Sequence, residues 1–163
     1  MATRRPKHPG GRPAIWGERE PFTVRPPVDV TTALKAEAAR LGVPSMPEFA
    51  AITLAEQVGV QLPSSADGKQ LQLAFDESLI PEPPHEVILF ANRAAPQPWG
   101  QRSPFNVRVP VRVKPLLEAA ASEQRIPLAE WCVLVLAKRV GIDLPVRRRD
   151  DDDEDRPALA LGA

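Results

Sequence analysis

Two short segments of the sequence place hydrogen-bonding side chains at alternate positions. Thr23 and Arg25 are separated by one valine, and 83 positions later Asn106 and Arg108 are separated by another. In an extended strand this spacing puts the polar side chains on one face and the valine on the other. A hydroxyl, a carboxamide and two guanidinium groups can all form hydrogen bonds with the edges of DNA bases in the major groove. These four residues are therefore candidates for base recognition.

A period of two in the apolar residues predicts the strands that carry these side chains. PFNVRVPVRV, at 104–113, alternates a phenylalanine and four valines with an outward set, which is Asn106, Arg108, Pro110 and Arg112. PFTVRPPVDV, at 21–30, repeats the pattern with the outward set Thr23, Arg25, Pro27 and Asp29. Because Pro26 and Pro27 have no amide donor, we expect strand pairing near them to end early or to become irregular.

The repetition covers two long segments of the chain. WGER at 16–19 returns as WGQR at 99–102, an offset of 83, and GVQLP at 59–63 returns as GIDLP at 141–145 after a one-residue deletion. Residues 16–63 and 99–145 are therefore interpreted as two copies of one unit. The aromatic residues predicted to lie in the core or to fold back on it are Phe22, Phe49, Phe105, Trp131, Trp16 and Trp99.

The first predicted helix of each copy follows the strand directly. In copy one, Thr31 can cap a helix that Gly42 ends. The inner stripe of this helix is predicted to be Leu34, Ala38 and Leu41. In copy two, Pro115 stands in the corresponding first turn, where proline is tolerated. The repeat thus supports the same helix boundary twice.

A second predicted helix completes each copy. Ser45 and Glu48 have the form of a capping box, which begins a helix that Gly59 ends. In copy two the corresponding helix is expected to run from about 128 to 140. The fold class predicted for the chain is mainly α with a two-stranded antiparallel β-ribbon.

Three segments lie outside the copies. Residues 1–15 are predicted to form a disordered basic arm, in which Gly11-Arg12-Pro13 is similar to the centre of an AT-hook. Residues 64–98 are a linker, whose apolar residues on either side of a proline-rich turn make it a candidate β-hairpin. Residues 146–163 are predicted to be a disordered tail ending in an acidic run, DDDDED at 150–155. That run either keeps the chain soluble or competes with phosphates for a basic surface.

Composition argues against several classes of protein. The only histidines, His8 and His85, lie in proline-rich chain, and the one cysteine, Cys132, is predicted to be buried and inert. Without a metal-ligand cluster or a glycine-rich phosphate loop, we expect neither an enzyme nor a metal or cofactor. A single cysteine favours a reducing compartment. We expect neither a membrane span nor a leader, because no apolar run in the sequence has the required length. These features predict a cytoplasmic protein, and binding to DNA would make it nucleoid-associated.

Charge is distributed unevenly along the chain. The totals balance at 21 basic and 21 acidic residues, yet residues 99–145 hold seven basic residues against four acidic ones. Each copy has one strand, which has no pairing partner within that copy. We expect the two strands to pair antiparallel, each with its apolar side toward its own helices, within one chain or between two chains. Such a ribbon has the width of a B-DNA major groove.

The order strand, helix, helix, with TVRPP and NVRVP in the strands, resembles the ribbon-helix-helix superfamily of Arc- and MetJ-type repressors. The resemblance covers roughly 90 residues in two copies, at 16–63 and 99–145. It implies a tandem arrangement in which one chain forms a pseudo-dimer. It also implies operator binding through alternate outward strand residues, here Thr23, Arg25, Asn106 and Arg108.

The resemblance further implies phosphate contacts at the start of the second helix of each copy. The candidates for phosphate contact are Ser45, Met46, Leu128 and Ala129 from the helix starts, with Arg112 and the arm residue Arg12. Asp29 occupies the position of Arg112, so a non-palindromic DNA site is expected. One ribbon is expected to bind DNA weakly, which suggests that several protein chains associate on adjacent sites. The alternative is an antitoxin or adaptor that uses the same fold to bind a protein through the linker or tail.

Overall fold

A computed structural model describes residues 16–65, 76–84 and 98–146. Within these ranges the chain forms four α-helices and a two-stranded antiparallel sheet, with helices predominating, as predicted. In chain order the elements are β1 (Arg19–Val24), α1 (Val28–Arg40), α2 (Met46–Gln57), a 3₁₀ helix (Glu77–Leu79), β2 (Phe105–Pro110), α3 (Lys114–Glu123) and α4 (Leu128–Arg139). Each strand is therefore followed by two α-helices.

The two strands pair with each other within the chain. The register runs from Arg19 opposite Pro110 to Val24 opposite Phe105. Beyond Val24 only separate contacts remain, among them a 2.9 Å hydrogen bond from the Ser103 amide to the Pro26 carbonyl. A proline carbonyl can accept a hydrogen bond, but proline has no amide hydrogen to donate. The regular strand pairing therefore ends before Pro26 and Pro27, as the sequence predicted.

Both strands are shorter than predicted, and this corrects several outward assignments. Pro27 is buried and precedes α1, so Asp29 lies in a helix. The N-cap backbone of Pro27 has φ −54°, a value that the proline ring fixes and that suits entry into a helix. At the other strand, Pro110 is buried and Val111 is 40% exposed, because the chain turns before α3 and the period of two stops there.

Helix α1 begins four residues earlier than predicted, with Pro27 rather than Thr31 at the N-cap position. Thr31 is not its cap but a buried residue inside it, and its hydroxyl donates to the Pro27 carbonyl at 3.2 Å. The earlier start gives a buried stripe that contains Leu34 and Ala38, as predicted. Leu41 was wrongly assigned to that stripe; it follows the last helical residue and is 44% exposed.

The other helix boundaries agree with the sequence patterns. Ser45 caps α2, and its hydroxyl accepts the Glu48 amide at 3.3 Å. Pro115 lies in the first turn of α3, and α4 covers all but the last residue of its predicted span. Gly42 and Gly59 have φ of 69° and 80°, a left-handed backbone that ends a helix readily only at glycine.

One hydrophobic cluster joins the sheet to all four α-helices. Helix α2 packs against β2, and α4 packs against β1. Each strand therefore contacts the second helix of the other copy, which corrects the expectation that it would face its own helices. The fully buried valines and leucines of this cluster include Val24, Val107, Val109, Leu34, Leu54, Leu117 and Leu136.

The aromatic residues take the predicted positions, with one difference. Phe49 and Trp131 are buried, whereas Phe22 and Phe105 lie half-buried against the edge of the cluster. The remaining two tryptophans occupy equivalent places in the two copies. The indole N–H of Trp16 donates to the Pro63 carbonyl at 2.8 Å, and that of Trp99 to the Pro145 carbonyl at 2.7 Å. Each bond ties the start of a strand-helix-helix segment to its end.

The predicted linker hairpin lies almost entirely outside the described residues. Its apolar positions at 71–75 and 87–90 are not among them. The part that is described, 76–84, contains the 3₁₀ helix and places Ile80 in the hydrophobic cluster. None of the described helices has the length and apolar character needed to cross a membrane.

Candidate nucleic-acid interface

The face of the sheet that points away from the helices is polar and exposed. Three of the four residues predicted to recognise bases, Thr23, Asn106 and Arg108, lie together on this face. Arg25 is also exposed and follows the last residue of β1. The alternation that predicted these positions therefore holds at the centre of both strands. We call this exposed surface the outward face of the sheet.

Thr23 and Asn106 lie directly opposite each other in the register. The Thr23 hydroxyl donates to the Asn106 side-chain carbonyl, with 2.8 Å between the oxygens. The carboxamide N–H groups of Asn106 and the lone pairs of Thr23 remain to interact with a partner. The middle of the outward face thus offers two donors held in place by a cross-strand bond.

The two predicted arginines lie on either side of this pair. Arg108 is opposite Pro21, and Arg25 lies four residues after Pro21, directly after the end of β1. At about 3.3 Å per strand residue, the two arginines are about 13 Å apart along the sheet. Base pairs in B-DNA rise about 3.4 Å each, so this spacing corresponds to about four base-pair steps.

A third arginine on the outward face was missed by the sequence reasoning. Arg19 is exposed at the start of β1, opposite Pro110. The predicted strand began at Pro21, but extending the same alternation back by two residues would have included Arg19. The acidic neighbour of Arg19 within β1, Glu20, forms an ion pair with Lys114 of α3. The described part of the outward face is therefore basic.

The helix starts predicted to bind phosphate differ between the copies. In α2, Met46 is the first helical residue, Pro47 has no amide hydrogen, and the Glu48 amide is taken by Ser45. Only the Met46 amide is left without an acceptor inside the helix among these residues. The sequence favoured this end because it has a capping hydroxyl, but that hydroxyl uses an amide which a phosphate could otherwise bind.

Helix α4 begins after Pro127 without a side-chain cap. The Glu130 amide donates to the Pro127 carbonyl at 3.0 Å, so the amides of Leu128 and Ala129 have no acceptor inside the helix. Two amide donors at a helix start, together with the helix dipole, favour an anion. The start of α4, which has no hydroxyl cap, therefore presents more amide donors than the capped start of α2.

Glu48 does not complete the predicted capping box. Its carboxylate instead accepts the amide of Ser65 at 2.6 Å and the hydroxyl of Ser65 at 2.7 Å. The chain that follows copy one is thus held against the first turn of α2. These bonds also occupy the carboxylate that lies closest in sequence to Met46.

The remaining predicted residues lie elsewhere or outside the described ranges. Arg112 is exposed in the turn between β2 and α3 rather than in a strand. Arg12 belongs to the arm, which is not described. Cys132 is fully buried, and this burial raises the pKa of its thiol. The described residues contain no group of His, Cys, Asp and Glu side chains that could hold a metal ion.

Comparison with protein-family models, with curated proteins and with solved structures finds no match to this chain. What the outward face does has to be inferred from its own geometry. That geometry combines exposed donors at regular spacing, a basic surface and two helix starts that differ in donor number.

Proposed function

We propose that this protein binds double-stranded DNA sequence-specifically, as a transcriptional regulator of the ribbon-helix-helix type. The outward face of the sheet enters the major groove, with Asn106 and Thr23 at the centre and Arg25 and Arg108 on either side. The observation that carries the proposal is the register that pairs Thr23 with Asn106 and leaves both side chains exposed. These side chains are of the types that read base edges in that groove.

Symmetry between the copies supports a single-chain pseudo-dimer. Thr23 faces the residue that occupies its own position in the second copy, so the pair lies on a pseudo-two-fold axis. Backbone hydrogen bonds at the two ends of the sheet agree with that axis. The Val28 amide donates to the Gln101 carbonyl at 3.2 Å, and at the equivalent positions the Val111 amide donates to the Glu18 carbonyl at 3.1 Å. In this arrangement the two copies within one chain take the places of the two identical subunits of a symmetric dimer.

The copies differ, so the DNA site has no dyad symmetry. Copy two supplies Asn106, Arg108 and the two amides of α4, while copy one supplies Arg19, Thr23, Arg25 and one amide of α2. Copy two therefore has more amide donors at its helix start, and copy one has more arginines on the outward face. A regulator of this kind binds in one orientation, because its two halves present different groups to the DNA.

The energies available to one chain are modest. A bidentate arginine contact with guanine discriminates by about 1 to 3 kcal/mol, and the central part of the outward face holds two such arginines. One chain is therefore expected to bind weakly. Several chains on neighbouring sites, or added contacts from the basic arm, would supply the rest of the affinity.

Binding to a duplex at several salt concentrations tests the proposal. Contacts with phosphates make the logarithm of the affinity fall with the logarithm of salt by about 0.9 for each contact. The variant Arg25→Ala with Arg108→Ala should weaken specific binding by about thirtyfold or more, since each arginine contributes about 1 to 3 kcal/mol. The matched control is Lys35→Ala with Arg40→Ala, which removes the same charge from exposed positions of α1.

The two variants give distinguishable results. Loss of specific binding in the arginine variant but not in the control supports recognition by the sheet. Equal loss in both would mean that only total charge matters. A folded arginine variant that binds DNA unchanged would contradict the proposal and favour the alternative, a module that binds a protein.

A further inference from the structure

An open cavity of about 360 Å³ lies between α2 and α4. No residue of the sheet lines it. Its lining consists of Thr53, Glu56, Gln57, Val135, Lys138 and Arg139. The first three residues come from the C-terminal half of α2 and the last three from the corresponding part of α4. At the offset of 82 that relates these helices, the six residues form three pairs of equivalent positions.

The two walls of the cavity have opposite chemistry although they derive from equivalent positions. Glu56 corresponds to Lys138, and Gln57 corresponds to Arg139. Among the described residues no ion pair joins Glu56 to Lys138, so the two charges are not neutralised by each other. One wall thus presents a carboxylate and a carboxamide, and the facing wall presents two cations.

Thr53 lines the cavity with a side chain whose hydroxyl does not face it. It is 5% exposed, and its hydroxyl is buried without a hydrogen-bond partner. In α1 the hydroxyls of Thr31 and Thr32 bond to the carbonyl four residues earlier, at 3.2 and 3.0 Å. A buried hydroxyl without such a bond destabilises the fold. Val135, at the equivalent position of α4, has the same shape without the hydroxyl, so packing at this position does not require a hydroxyl.

The geometry points to a binding site for a small zwitterion of about the size of a dipeptide. Its carboxylate contacts Lys138 and Arg139, its ammonium group contacts Glu56, and Thr53 and Val135 line the cavity between these charges. Arginine binds carboxylates with two parallel hydrogen bonds. The carbonyl end of α2 lies beside Glu56 and favours the ammonium group at that wall. The volume is within the range of sites for small molecules.

Three related compounds test the charge requirement. Alanylalanine is a zwitterion, its N-acetyl form is only an anion, and its amide is only a cation. Titration of isotopically labelled full-length protein with alanylalanine should give saturable shifts at the backbone amides of Thr53, Glu56 and Lys138. Each blocked compound should bind on the order of tenfold more weakly, since it loses one charge-assisted contact.

Variants of the walls separate binding from a structural role. Thr53→Val copies the residue at the equivalent position; because the buried hydroxyl does not face the ligand, the variant should raise the melting temperature and bind alanylalanine as the parent does. Glu56→Lys and Lys138→Glu should each abolish binding, and the double variant should restore it with the compound reversed. Both residues are exposed at helix ends, so the variants should keep the circular dichroism spectrum of the parent.

Several results would overturn the inference. They are the absence of saturable shifts with alanylalanine, equal affinity for the blocked compounds, and shifts confined to residues outside the cavity. Failure of the double charge reversal to restore binding after both single reversals have abolished it would also count against the assignment. None of these outcomes depends on DNA binding, so the inference and the proposed function stand or fall separately.

Discussion

The side chains of Thr23 and Asn106, which are 83 positions apart in the sequence, share a hydrogen bond of 2.8 Å at the middle of the sheet. The bond joins the two copies at the one position where each faces its own counterpart. It also fixes the Asn106 carboxamide, so that its N–H groups point away from Thr23. Different parts of the outward face should therefore recognise different parts of a DNA site.

We expect Asn106→Ala to relax the preference for the central base pairs of the site by about 1 to 3 kcal/mol. Arg25→Ala should relax it instead at an outer position, because Arg25 lies beyond the end of β1. Selection of bound sequences from random duplexes, at one salt concentration, measures both effects. If Asn106→Ala selects the same sequences with the same affinity, the central pair does not read DNA.

The second prediction concerns the core beneath the sheet. Leu54 and Leu136 occupy equivalent, fully buried positions in α2 and α4. Substitution of either by alanine should lower the free energy of unfolding by about 2 to 5 kcal/mol, through lost burial and a cavity. Leu79→Ala is the matched control, since Leu79 is 79% exposed and should change stability by about 0.5 kcal/mol or less. Urea denaturation monitored by circular dichroism measures all three; equal effects at positions 54 and 79 would contradict this packing.

The third prediction concerns the tryptophans that close the two copies. Trp16→Phe and Trp99→Phe each remove one hydrogen bond to a proline carbonyl and should each cost about 0.5 to 1.5 kcal/mol. The two costs should agree because the two bonds have nearly the same length. Trp131→Phe serves as the control for loss of ring volume, since the buried indole N–H of Trp131 has no partner in the described structure. Denaturation followed by the fluorescence of the remaining tryptophans gives the values, and a large difference between positions 16 and 99 would refute the equivalence.

The fourth prediction follows from the burial of Cys132. Burial raises the pKa of this thiol, so at pH 8 it stays protonated and unreactive in the folded protein. A thiol reagent such as 5,5′-dithiobis(2-nitrobenzoate) should label free N-acetylcysteine at once but label the protein only after denaturant is added. Rapid labelling under native conditions would show that the helix around Cys132 opens readily.

The middle of each strand could be predicted because the alternation at Thr23 and Asn106 has a single physical cause. The valines of each strand are buried on one face of the sheet, so the residues between them are exposed on the other. The strand ends could not. Pro27 suits both a strand and the entry to a helix, and only the packed structure decides between them. Thr31 likewise has the right chemistry for a cap, yet the chain enters α1 earlier and the hydroxyl bonds within the helix instead.

The candidate sites show the same division. The basic outward face follows from local alternation, and even Arg19 could have been included by extending that pattern. The donor count at the start of α4 depends on which amides the backbone itself uses, and sequence alone does not reveal this. The cavity between α2 and α4 was not predicted, because Glu56 and Lys138 resemble ordinary solvated helix ends until the helices are brought together.

The sheet takes one strand from each side of the linker, and α2 and α4 each pack against the strand from the other side. A protease cut between residues 65 and 98 therefore leaves two fragments that hold each other as the subunits of a heterodimer do. Unfolding of the nicked protein becomes a dissociation, so its midpoint rises with protein concentration, whereas that of the uncut chain stays constant. Mixed fragments from separate preparations should likewise regain the fold that neither keeps alone.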